Sequence, residues 1–245
     1  MKTETTDHEE HMRWSKNPGR FAGFLYLLLV VAALYRLSYI PSALLVRGNA
    51  TATADNIATH ELLFRFGIVT DLFCGTIVIF LALALYRLLQ RVDRNQAVLM
   101  VILGGLMPAV IDFIIVLNDA ATLMLARGAD FLSAFDKPQR AALAVLFLRL
   151  HDQEILAAEI LWGLWLFPLG ALVYRSGFLP RFLGVWLIIN CFAYLAMSLT
   201  GLLLPRYDDI VGNVALPALL GEVAFMLWLL VKGVNLRKWE EKAAA

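Results

Sequence analysis

Residues 150–175 read Leu150-His-Asp-Gln-Glu-Ile-Leu-Ala-Ala-Glu-Ile-Leu-Trp-Gly-Leu-Trp-Leu-Phe-Pro-Leu-Gly-Ala-Leu-Val-Tyr-Arg175. The stretch opens on His151, Asp152 and Glu154 and carries Glu159 a turn or so deeper. It then runs apolar for roughly 20 residues, which at about 1.5 Å each is the length a bilayer core demands. An acidic cluster therefore opens a membrane-spanning helix. Ionisable groups are costly there, so they mark either a site or a tightly paired structural network.

The rest of the chain fits that beginning. Over 245 residues it is 60% hydrophobic, with a mean hydropathy of +0.72, well beyond the roughly 45–50% apolar share of a soluble domain. The composition predicts an integral membrane protein whose first partner is the lipid bilayer. A net charge of +1 gives no reason to expect nucleic acid. Cys74 and Cys191 both fall inside apolar runs and read as small core residues.

Apolar periodicity and length predict an all-α fold, a polytopic transmembrane bundle of six helices over residues 19–236. Its spans fall at about 21–45, 62–89, 97–125, 150–174, 182–204 and 211–234. Residues 1–18, with His8 and His11, read as a disordered cytoplasmic tail, and residues 237–245 as a second cytoplasmic tail. The first apolar run is too long for the core of a signal peptide and should remain as a helix. Residues 127–138 read as an interfacial turn with a new helix capped at Asp136 and Pro138 in its first turn. The helical pattern from Gln139 to Tyr174 is 36 residues, about 54 Å as one helix against a core of about 30 Å. It must project, tilt or break, and the polar residues His151–Glu154 mark the expected break. Gly177 suits a C-terminal cap, and Pro180 opens the fifth span.

Six spans put both termini on one side. That side holds 13 Lys and Arg residues against 5 opposite, so the positive-inside rule places both termini in the cytoplasm. Arg36, Arg65 and Arg149 lie within spans. With that orientation Arg36, Arg65, Asp71, Asn118, Asp119, His151, Asp152, Glu154 and Glu159 gather in the outer half, and Asp112 and Glu222 lie nearer the middle. The inner half is almost free of charge, which predicts an outward-facing polar chamber floored by an apolar bundle.

Carboxylates at this depth fit a cation site or a proton relay, or equally a set of buried Arg–carboxylate pairs with Arg36, Arg65 and Arg149. Asp152 and Glu159 are seven apart, as are Asp112 and Asp119, so each pair shares a helix face. His151 with Asp152 and Glu159 forms a candidate metal set, and a divalent metal ion is the cofactor such a set would hold. A zinc site of three histidines within the membrane is excluded, because His8 and His11 belong to the tail. The chain has no Gly-x-Ser-x-Gly elbow, nucleotide loop, haem attachment motif or His-Glu-x-x-His helix.

Several stretches resemble a known family. They are Gly48-Asn-Ala-Thr-Ala-Thr-Ala-Asp-Asn-Ile-Ala58, Glu61-Leu-Leu-Phe-Arg-Phe-Gly67 with Asp71 just after, and Gly128-Ala-Asp-Phe-Leu-Ser-Ala-Phe135. Leu150-His151, Tyr174-Arg-Ser-Gly-Phe-Leu-Pro-Arg181 and Pro217 to Val234 with Gly221-Glu222 complete the set. Together they resemble the bacterial membrane-protein family called domain of unknown function 4386, over roughly residues 17–236. The resemblance implies a six-helix protein of the bacterial inner membrane and brings no activity with it. Glu61, Arg65, Asp71, His151 and Glu222 match its polar motif positions.

The candidate ligand-binding residues are thus Arg36, Arg65, Asp71, His151 and Glu222. The expected function is binding or moving a small polar or cationic ligand, or protons, in the outward-facing chamber. A membrane-embedded metal-dependent hydrolase acting on a lipid or a small amide or ester is one alternative. A structural or regulatory membrane subunit without a ligand is the other.

Overall fold

The computed structural model describes residues 17–244, so His8, His11, Trp14 and all of the tail expected at residues 1–18 except Asn17 and Pro18, which open the first helix, lie outside the described residues. Six helices are long and apolar enough to cross a membrane, and among the described residues there is no strand. The spans are α1 (Pro18–Leu44), α3 (Glu61–Leu89), α4 (Arg94–Arg127), α5 (Lys137–Ser176), α6 (Arg181–Leu203) and α7 (Asp208–Val231). Two shorter helices join them, α2 (Ala50–Thr59) between α1 and α3, and α8 (Leu236–Ala244) after α7. The protein is a multi-pass membrane protein.

The spans pack in sequence order, each against the next, and α7 closes on α1. Both ends of the described chain meet where the ring closes. Asn17 caps α1 by accepting from the Gly19 amide, and its side chain also donates to the Val234 carbonyl at 3.0 Å. Gly233, at φ +67°, takes a left-handed turn there; a Cβ on it would stand 2.6 Å from the Asn17 side chain.

Local chemistry explains the irregular turns. Two π-helical segments, Tyr35–Tyr39 in α1 and Ile102–Leu106 in α4, each end just before a proline, Pro41 and Pro108. A proline has no N–H to donate and its ring collides with the carbonyl four residues back, so a widened turn accommodates both problems. The same effect moves the break expected at His151–Glu154. Helix α5 runs without interruption from Lys137 to Leu164, and its single irregular residue is Trp165, three before Pro168. The long helix instead projects at its Lys137 end, where Asp136 and Gln139 form a capping box with Pro138 in the first turn. Gly177 ends α5 in the left-handed conformation.

The apolar core sits at the end of the bundle where the described termini meet, around Leu81, Leu85, Leu89, Met100, Leu169, Leu187 and Phe225. There Gly104 of α4 lets Trp165 lie flat against the backbone; a Cβ would fall 2.3 Å from the indole. A smaller apolar cluster of Ile40, Leu44, Ile57, Phe64 and Leu123 closes the opposite end, with Ile57 supplied by α2. Between these two apolar layers lie the buried Arg36, Asp71, Asp119 and His151.

Candidate functional site

Arg36 enters the bundle from the π-helical turn of α1, 6% exposed. Three further spans converge on its guanidinium. Nε donates to Asp71 Oδ2 of α3 at 2.7 Å, and Nη2 donates to Asp119 Oδ2 of α4 at 2.5 Å. Nη2 also lies 3.3 Å from both ring nitrogens of His151 on α5, so the guanidinium caps the imidazole without pointing at one nitrogen. His151 Nδ1 stands 3.2 Å from Asp119 Oδ1. That is close enough for an ion pair, yet this oxygen, on a residue 1% exposed, has no aligned hydrogen-bond partner among the described residues.

The widened turn of α1 matters to this geometry, because an extra residue in the turn re-aims Arg36 relative to a regular helix. Gly67 leaves space beside the arginine stem, with Arg36 Cδ 3.8 Å from where its Cβ would stand. The small apolar cluster seals the site towards α2. Asp112, one heptad from Asp119, is half-buried beside Gly75 and has no hydrogen-bond partner among the described residues.

A second polar cluster occupies the other side of the ring. Glu222 of α7 accepts a hydrogen bond from the Tyr26 hydroxyl of α1, and from Asn190 Nδ2 of α6 at 3.5 Å. Tyr194, four residues on from Asn190 along α6, lies on the same helix face as that amide. Tyr26 and Arg36 are ten residues apart on α1, so the clusters stand about 15 Å apart along the bundle.

The sequence candidates therefore divide. Arg36, Asp71 and His151 come together, with Asp119 as the fourth member. Glu222 belongs to the second cluster. Arg65 lies on the surface, where it and Arg127 share the Glu61 carboxylate at 2.7 and 3.1 Å. The metal set does not converge: His151 points inward to Asp119, while its neighbour Asp152 faces outward and pairs with exposed Arg149 at 3.4 Å. Adjacent helical residues point in different directions, which is why the two separate. Glu159 is buried two turns further along, and among the described residues no group of three His, Cys, Asp or Glu side chains is placed to hold a metal ion. Arg149 is exposed too, so of the three intramembrane arginines Arg36 alone forms a buried pair.

Sequence reasoning missed Tyr26 and Asn190 as partners of Glu222. An amide in the middle of an apolar span is the signal that Asn190 offered, since a buried amide needs partners. Asp119 carried a similar signal in its spacing from Asp112.

The family described as Domain of unknown function (DUF4386) matches residues 21–233. An uncharacterized protein of Archaeoglobus fulgidus is 35% identical over 77 residues, which is 31% of this chain and 44% of the relative. The chain thus spans less than half the length of that relative. No solved structure matches the chain.

Proposed function

The chain belongs to the family described as Domain of unknown function (DUF4386), and we propose that it binds and moves a proton or small cation at the Arg36–Asp71–Asp119–His151 site. One observation carries this reading. A single guanidinium serves two buried carboxylates, and Asp119 Oδ1 is left without an aligned donor. With a neutral imidazole the cluster holds one uncompensated negative charge; with an imidazolium it is neutral. In a low-dielectric interior a lone negative charge is expensive, so the cluster favours taking up one positive charge, as a proton or a small cation.

The excess of Lys and Arg on the side of the described termini supports an orientation with both ends in the cytoplasm and the site in the outer half of an inner membrane. In that orientation α2 and the apolar cluster around Ile57 close the site from outside. The metal-dependent hydrolase is the weaker alternative, because its ligand set is spread between the interior and the surface.

The test is proton flux into vesicles that contain the full-length protein and an enclosed pH dye, under an imposed potassium diffusion potential. Flux above protein-free vesicles, lost in Asp119→Asn and His151→Gln, is the expected result. If flux is absent, native mass spectrometry with elemental analysis of wild type, His151→Ala and Asp71→Asn separates a retained ligand from a structural network. A mass lost in both variants identifies a ligand; a bare polypeptide in all three favours a structural subunit.

A further inference from the structure

The second cluster is built differently from the first, and it has a use of its own. Glu222 stands about 20 Å from Asp208 and about 14 Å from Val231 along α7, near the middle of its span. The groups that bond its carboxyl can reverse their hydrogen-bonding roles: the Tyr26 hydroxyl from α1 donates or accepts and the Asn190 amide of α6 presents either end. The Tyr194 hydroxyl, one turn from Asn190 on the same face, has the same versatility. The hydrogen bonds to the Glu222 carboxyl come from Tyr26 and Asn190, neither of which carries a charge that would lock it ionised.

Two buried acceptors near this cluster lack partners. Asn190 Oδ1, on a fully buried residue, and Glu159 Oε2, on a residue 9% exposed, have no hydrogen-bond donor among the described residues. Unpaired buried acceptors are costly and call for a donor, a proton or a water. They are also placed in series. Tyr194 packs against α5 at Gly163, where an added Cβ would stand 3.0 Å from the Tyr194 Cβ, one turn on from Glu159. The carboxylate of Asp208, exposed at the start of α7, lies beside Gly201 together with Leu156, one turn before Glu159.

We infer that Glu222 is a mid-membrane proton-exchange site, loaded from the Asp208 end of the bundle through Glu159 and Tyr194. The route uses α5, α6 and α7 and none of the four residues around Arg36, so it stands independently of the reading given above. The transfer balances in charge. A proton leaves the Glu159 carboxyl, passes by way of water to the Tyr194 oxygen, and the hydroxyl's own proton moves on to Glu222. Tyr194 ends as it began, Glu159 becomes a carboxylate and Glu222 becomes the neutral acid.

Infrared difference spectroscopy on the full-length protein in vesicles, stepped in pH and in deuterated buffer, tests this. The expected result is a carboxylic-acid carbonyl band that grows as pH falls, is absent in Glu222→Gln, and shifts in frequency without disappearing in Glu222→Asp. Hydrogen–deuterium exchange of that band slows about 100-fold in Glu159→Gln, near the low end of what a positioned proton-transfer group contributes. A pH-dependent band that survives unchanged in both Glu222 variants overturns the site, as does a Glu222 band that no pH step moves. An unchanged exchange rate in Glu159→Gln overturns the route. Should Glu222→Gln fail to fold, the frequency shift in Glu222→Asp decides alone.

Discussion

The two buried polar clusters share α1 and differ in one component. Around Arg36, a fixed cation holds two carboxylates at 2.7 and 2.5 Å and ties four consecutive spans together. Around Glu222, a hydroxyl and an amide bond one carboxyl with no cation among them. A buried ion pair with one partner removed leaves an isolated charge in a medium that cannot solvate it. A carboxyl ringed by groups of reversible polarity can gain or lose its proton with little rearrangement. The first cluster is therefore the structural centre as well as a candidate site, and the second is the easier one to alter without unfolding the protein.

The hardest test of that contrast removes the cation. Arg36→Met leaves Asp71 and Asp119 facing each other in the interior, and should destabilise the fold by about 3–5 kcal/mol, measured by chemical denaturation in mixed micelles. Arg36→Lys should recover only part of the loss, because an ammonium cannot reproduce the forked contact to two carboxylates. A small effect of Arg36→Met would mean that the carboxylates are already held by protons, and the distinction between the clusters would collapse.

The next experiment concerns charge count. If one arginine serves two acids, neutralising either acid alone leaves a matched pair. Asp71→Asn and Asp119→Asn should each cost about 1 kcal/mol, whereas the double variant strands the arginine and should cost about 3–5 kcal/mol. The excess of the double over the sum of the singles, about 2 kcal/mol, is the coupling that a double-mutant cycle reads. Simple additivity would show that the two carboxylates do not share Arg36.

What the sequence revealed of these clusters follows from what each signal encodes. Apolar runs of bilayer length gave the six helices directly, because nothing else satisfies backbone groups in lipid over that distance. The asymmetric placement of charge gave the polar layer and its apolar floor, borne by Leu81, Leu89 and Leu169. Depth was legible; direction was not. Arg36 and Arg65 both read as intramembrane arginines, yet one enters the bundle to meet Asp71 and the other stays at the Glu61 end of α3 on the surface, and a widened turn set by Pro41 re-aims the first. The break assigned to His151 followed polarity, when the decisive residue was Pro168, whose missing N–H disturbs the turn at Trp165. Asp152 was grouped with His151 by proximity in sequence, although neighbours on a helix diverge.

A milder substitution sharpens the second half of the contrast. Glu222→Gln keeps the shape of the side chain and removes no counter-charge, so its cost to stability should stay near 1 kcal/mol in the same denaturation assay. A loss as large as that of Arg36→Met would indicate that Glu222 is ionised and balanced by a charge that the two tyrosines and Asn190 do not supply.

The smallest effect belongs to the surface group that the sequence placed beside the site. Arg65 shares Glu61 with Arg127, but its side chain is 50% exposed. An exposed pair gains little, since water and salt screen the attraction and two long side chains lose freedom to make it. Arg65→Ala should therefore change stability by no more than about 0.5 kcal/mol, and that change should shrink further at high salt. A larger, salt-insensitive loss would show that the Glu61–Arg65–Arg127 group is shielded in the bilayer as Arg36 is. Shielding by lipid would then make this a third charge-bearing centre, and burial within the protein alone would not separate the cation-locked cluster from the rest.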